Sequence, residues 1–104
     1  MSKAKEIYAL KLKQMTLREK IGQMLLCGFQ GTEAVGEVDA FLRKYPIGGV
    51  IYFARNVETP EQVERLSSEL QRIAVDSGNV PLWISIDQEG GMVARITEGI
   101  ALMP

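Results

Sequence analysis

Three short apolar runs constrain this chain more than any other feature: Met24–Phe29 (MLLCGF), Val50–Phe53 (VIYF) and Leu82–Ile86 (LWISI). Glycine, proline, asparagine or aspartate stands within three residues of either end of each run, and short runs of this kind read as buried strands. Between them lie stretches whose apolar residues recur every three or four positions, the mark of amphipathic helices. Strands that alternate with such helices predict right-handed crossovers and a parallel sheet, so the expected fold class is α/β.

Taken in order, Ala4–Gln14 suits a short helix with a thin stripe of Ile7, Leu10 and Gln14. Thr16-Leu17-Arg18-Glu19 has the capping-box form, in which Thr and the Glu three residues on each satisfy a free backbone donor. Gly22 keeps the helix that follows brief, and Gly28 and Gly31 flank a loop at the end of the first strand. The next helix is expected over Glu33–Lys44, with Val35, Val38, Phe41, Leu42 and Tyr45 on one stripe and Pro46 as its stop. Thr59-Pro60 opens the best-defined helix, combining an N-cap residue with proline at the first helical position. Its buried stripe is Val63, Leu66, Leu70, Ile73 and Ala74, and Glu61 and Arg65 are spaced to pair on its outer side. Ser77-Gly78-Asn79 ends it. Tyr52 and Trp83, both strand residues, are expected in the core.

The 104 residues suffice for one small domain, and 46% hydrophobic with 24% charged is an ordinary globular balance. Residues 1–20 carry net +4, leaving −5 for the rest. Those cations are spaced among apolar residues, as on a solvated helix face, and give no nucleic-acid-binding or membrane-binding arm. The one cysteine, Cys27, excludes an internal disulfide and reads as a small buried hydrophobe. The absence of histidine removes Ser-His and Cys-His nucleophilic pairs and histidine metal ligands. No metal or organic cofactor is implied. No stretch approaches the roughly 20 apolar residues of a membrane span, and a charged N-terminus stands where a signal peptide has its apolar core. The localisation expected on these grounds is cytoplasmic.

Candidate chemistry gathers where the third strand stops. In α/β sheets and barrels ligands bind beyond the carboxyl ends of the strands, and there the sequence reads Asp87-Gln88-Glu89-Gly90-Gly91. Asp87 and Glu89 share a face if the strand continues, which invites an acid/base couple. Neighbours on one face crowd one side of a substrate, however, so the competing reading holds one or both acids on backbone donors and arginines. Gly90 and Gly91 would let backbone approach a ligand closely, but the phosphate-binding spacings are missing. Arg95 offers a fork of donors to hydroxyls or carboxylates. It serves either a ligand or a salt bridge to Glu89 or Glu98. Arg55 and Asn56 occupy the loop after the second strand.

These residues also form a recognisable set. IDQEGGMVAR, with GGVIYFARN upstream and MTLREKIGQML near the start, resembles the N-terminal part of the β-N-acetylglucosaminidases (β-hexosaminidases) of glycoside hydrolase family 3. The resemblance runs from about Met15 to Pro104, leaving residues 1–14 as a leader helix before a single partial domain. It implies the first three βα units of a (β/α)₈ TIM-type barrel, incomplete here because such a barrel takes about 250 residues. It implies a retaining enzyme that removes terminal N-acetylglucosamine from cell-wall fragments, including those of peptidoglycan recycling. Asp87 then matches a residue binding sugar-ring hydroxyls and Arg95 an arginine of the same pocket. Glu89, Gly90 and Gly91 match the motif framework, and Arg55 and Asn56 a supporting loop pair. Met92 stands where many members have arginine.

The family's nucleophilic aspartate, Lys-His sugar-binding segment and His-Asp acid/base have no counterpart in these residues, so this chain alone is expected to be inactive. Its partners would be an N-acetylglucosamine-containing glycan and the missing C-terminal part of the barrel, or further copies joined through open strand edges. Competing readings are a family 3 β-glucosidase, an N-acetylglucosaminide phosphorylase, or a non-catalytic association or carbohydrate-binding module.

Overall fold

A computed structural model describes residues 2–89 and 92–97. Helices α1 (Lys3–Gln14) and α2 (Leu17–Gly22) precede strand β1 (Leu26–Cys27). Then come α3 (Glu37–Lys44), β2 (Gly49–Tyr52), a 3-10 turn (Ala54–Asn56), α4 (Pro60–Asp76) and β3 (Trp83–Ile86). The three strands are parallel in the order β1-β2-β3. The expected helix–strand alternation is therefore observed throughout.

Register decides which residues meet. Leu26 lies beside Gly49 and Gly49 beside Trp83, so these share one face. Cys27, Val50 and Ile84 share the other, with Tyr52 and Ile86 two residues on. That second face packs on Val38 and Leu42 of α3 and on Leu66, Leu70, Ile73 and Ala74 of α4, forming the core. Tyr52 is 2% exposed, as expected of a core residue. Its ring meets Phe29 edge-on at 6.0 Å and its hydroxyl bonds the Ser67 hydroxyl at 2.8 Å. Burial raises the Tyr52 pKa, and the Ser67 bond opposes that shift. Cys27 is half-buried against the core.

Trp83 departs from expectation. It is 75% exposed, and Leu26 beside it on the same face is 56% exposed. Both point away from α3 and α4, and no other described element covers them. Strand β1 is also shorter than the apolar run Met24–Phe29 predicts. The Met24 and Leu25 amides donate back to Ile21 and Gly22, continuing the turn of α2. The Gly48 amide then donates to the Gly22 and Leu25 carbonyls, at 2.7 and 3.1 Å. Glycine is required at this crossing: a Cβ on Gly22 would overlap the Pro46 carbonyl, and one on Gly48 the Gln23 carbonyl.

Helix α3 begins four residues later than predicted, because Gly36 takes φ +68° and breaks the chain before Glu37. Val35 is left exposed outside the helix, while Val38 and Leu42 carry the buried stripe. Helix α4 follows its sequence signals. Thr59 caps the Gln62 amide, and Gly78 and Asn79 donate to Val75 and Ala74 in a Schellman ending with Gly78 at φ +80°. Glu61 and Arg65 do not pair. The exposed ion pairs of α4 join Arg72 to Glu69 and to Asp76 instead. The Thr16–Glu19 capping box is present, and its bonds from Thr16 hold the Glu19 carboxyl below its usual pKa. Helix α1 buries none of its residues, consistent with its thin stripe.

Candidate functional site

The candidate residues lie on the loops leaving β2 and β3, at the carboxyl end of the sheet. The loop after β2 is built around Asn56, whose side chain is fully buried. Its Oδ1 accepts from the Phe53 amide at 2.9 Å. Its Nδ2 donates to the carbonyls of Phe29 at 3.1 Å and Gly31 at 2.8 Å. One amide therefore ties the loop after β1 to the loop after β2. Gln62 extends the knot from the first turn of α4, donating to the carbonyls of Asn56 and Thr32 while accepting from the Glu58 amide. Arg55 is exposed and held on the same frame: its Nε donates to the Phe29 carbonyl at 2.9 Å and its guanidinium lies 4.8 Å from the Phe53 ring centre.

The strand leading to Asp87 stops at Ile86. Asp87 and Glu89 therefore do not continue a strand face, and the geometric premise of an acid/base couple between them is not met. Asp87 is exposed, and its carboxylate has no hydrogen-bond or ion-pair partner among the described residues. The Glu89 amide donates to the Val93 carbonyl at 2.8 Å. Glu89 and Arg95 form no salt bridge, so that competing reading of Arg95 is not realised. The other proposed partner, Glu98, lies outside the described residues, as do Gly90 and Gly91.

Arg95 is half-buried. Its amide is bound by the Gln88 side chain, while its Nε is buried with no hydrogen-bond partner among the described residues. An orphaned buried donor costs about 1–3 kcal/mol, a cost that an arriving acceptor would relieve. The segment after β3 thus carries an exposed carboxylate, an acceptor, and a half-buried guanidinium, a donor, the two kinds of group that polyhydroxylated ligands engage.

Sequence reading passed over two residues of this region, Gln62 and Gln88. For Gln62 a signal existed, since it stands four residues before Leu66 on the buried stripe of α4. Gln88, between two acids, carried none. A separate apolar cavity of about 310 Å³ opens between α3 and the end of β1, lined by Cys27, Phe29, Val38, Phe41 and Arg55 among others. Neither Asp87 nor Arg95 lines it. Among the described residues no group of three His, Cys, Asp or Glu side chains is placed to hold a metal ion, and no helix is long and apolar enough to cross a membrane.

A parallel α/β sheet with its polar candidates at the carboxyl strand ends has the layout of many α/β enzymes. Residues 16–104 match the glycosyl hydrolase family 3 N terminal domain, and the chain belongs to that family. It is 38% identical over 80 residues to the β-hexosaminidase of Alkalilimnicola ehrlichii, a match covering 77% of this chain and 22% of that protein. Among solved structures, a glycoside hydrolase family 3 β-N-acetylglucosaminidase from Paenibacillus sp. str. FPU-7 superposes with TM-score 0.81 at 50% identity, over 86% of this chain and 17% of that one. NagZ from Neisseria gonorrhoeae, in complex with N-trifluoroacetyl-D-glucosamine, gives TM-score 0.66 at 30% identity, over 77% and 22%. The chain thus spans about a fifth of the length of such relatives. Helix α1 precedes the matched region.

Proposed function

We propose that this chain is the sugar-binding N-terminal portion of a retaining β-N-acetylglucosaminidase that removes terminal N-acetylglucosamine from cell-wall glycans. The observation that carries this reading is Asp87, an exposed carboxylate without a partner among the described residues, at the end of β3 within the region that matches the family. Asp87 accepts hydrogen bonds from ring hydroxyls and Arg95 donates from the neighbouring loop. Glu89, Gly90 and Gly91 belong to the framework of the family motif, while Arg55 and Asn56 brace the adjoining loop. The relatives' names, β-hexosaminidase and β-N-acetylglucosaminidase, favour N-acetylglucosamine over glucose.

The chemical step belongs to an aspartate nucleophile and an acid/base supplied from beyond these residues, so the chain alone binds without cleaving. The sheet is read as the first three βα units of a (β/α)₈ barrel. Three features support this: the strand order runs β1-β2-β3 without reversal, α3 and α4 pack on one face, and Leu26 and Trp83 stand bare on the other, where a barrel interior would lie.

Titration of the chain with N-acetylglucosamine, followed by amide chemical shifts, tests the reading. Saturable shifts confined to residues 86–96 and the 53–56 loop are expected, with weaker response to glucose. Absence of any saturable response would contradict it.

A further inference from the structure

Resting on the sugar-binding reading of Asp87 and Arg95, we infer that Gln88 is a positioning residue that sets Arg95 against Asp87. Its carboxamide closes the loop from 88 to 96 with three hydrogen bonds. Oε1 accepts from the amides of Arg95 at 2.9 Å and Ile96 at 3.1 Å, and Nε2 donates to the Ile96 carbonyl at 2.6 Å. The side chain thereby does what a neighbouring strand's peptide group would do, pairing with two successive backbone units. The Glu89–Val93 bond tightens the same loop from within.

The consequence for the site is geometric. Asp87 and Arg95 are separated by seven residues, and Gln88 is covalently next to the first and hydrogen-bonded to the second. Closing a loop costs conformational entropy, and small misplacements of a binding group are costly to function. One amide fixes both ends. The chemistry required is specific to glutamine: asparagine is one methylene too short, methionine has no donor and only a weak sulfur acceptor, and glutamate keeps the acceptor but sets a negative charge against the Ile96 carbonyl.

The test uses the 104-residue chain, N-acetylglucosamine as the probe, and hydrogen exchange read at the Arg95 and Ile96 amides. Gln88→Met is expected to raise Kd about tenfold, to release both amides to exchange, and to leave the urea midpoint unchanged. Gln88→Glu falls between it and the unmutated chain. Because Gln88 acts through Arg95, Gln88→Met combined with Arg95→Ala binds no more weakly than Arg95→Ala alone. A Gln88→Met chain that binds within twofold of the unmutated one overturns the inference, as do losses at the two positions that simply add. If the unmutated chain fails to bind the sugar, the reading of the site falls and this inference with it. Binding by the unmutated chain that ignores Gln88 removes this inference alone. Should Gln88→Met unfold the chain, Gln88→Glu decides: unchanged affinity with the two amides released overturns the inference, and weakened binding supports it.

Discussion

Asp87→Ala is expected to lower kcat/KM by roughly 100- to 10,000-fold for release of N-acetylglucosamine from a nitrophenyl glycoside. The enzyme for this measurement is built by placing residues 16–104 in the matched segment of the Paenibacillus relative, with which the chain shares 50% identity. The size follows from charge-assisted hydrogen bonds worth about 1.5–3 kcal/mol each, of which a carboxylate facing two ring hydroxyls makes two. Asp87→Asn keeps an acceptor but loses the charge and should lie between. Because the carboxylate sits after Ile86 in solvent, its removal leaves no buried group unpaired. Stability should therefore stay within about 0.5 kcal/mol. A variant with unchanged kcat/KM would refute the assignment of Asp87 to the sugar.

The second large effect is on stability. Asn56→Ala removes a fully buried amide, strands the Phe53 amide and the Gly31 carbonyl, and leaves the Phe29 carbonyl with only its bond from Arg55. With unsatisfied buried groups costing about 1–3 kcal/mol each, and some of them rehydrated through the loops, a loss of about 3–5 kcal/mol is expected. That is a large share of the roughly 5–15 kcal/mol that holds a domain together. Asn56→Asp should be no better, because its second oxygen would face two carbonyls. Arg55→Ala loses one bond at an exposed position and should cost about 1 kcal/mol or less. Urea unfolding of the three variants gives the comparison, and an Asn56→Ala loss below about 1 kcal/mol would show that the knot is not what joins the two loops.

The contrast between these residues shows what was legible in the sequence. The end of β3 could be read directly, because LWISI gives way at once to DQEGG. The limits of α4 could be read as well, since Thr59-Pro60 and Ser77-Gly78 act through local backbone chemistry. Sequence failed where the deciding contact was distant. Met24 and Leu25 are as apolar as a strand requires, yet bonds from Gly48 and Gly49 to the Gly22 and Leu25 carbonyls hold their backbone in a turn. The apolar run LWISI placed Trp83 in the core, but only the packing of α3 and α4 shows which face of β3 is covered. For the site, Asp87 and Arg95 were visible as residue types in a motif. Gln88 was not, because an amide that mimics a peptide group declares itself only once the loop is closed.

The central claim is that these residues bind N-acetylglucosamine for a family 3 glycosidase, and the unmutated chimaera tests it most directly. With residues 16–104 in place of the Paenibacillus segment, the protein should fold and release nitrophenol from the N-acetyl-β-glucosaminide far faster than from the β-glucoside. A folded chimaera that cleaves neither glycoside, or both equally, would contradict the account.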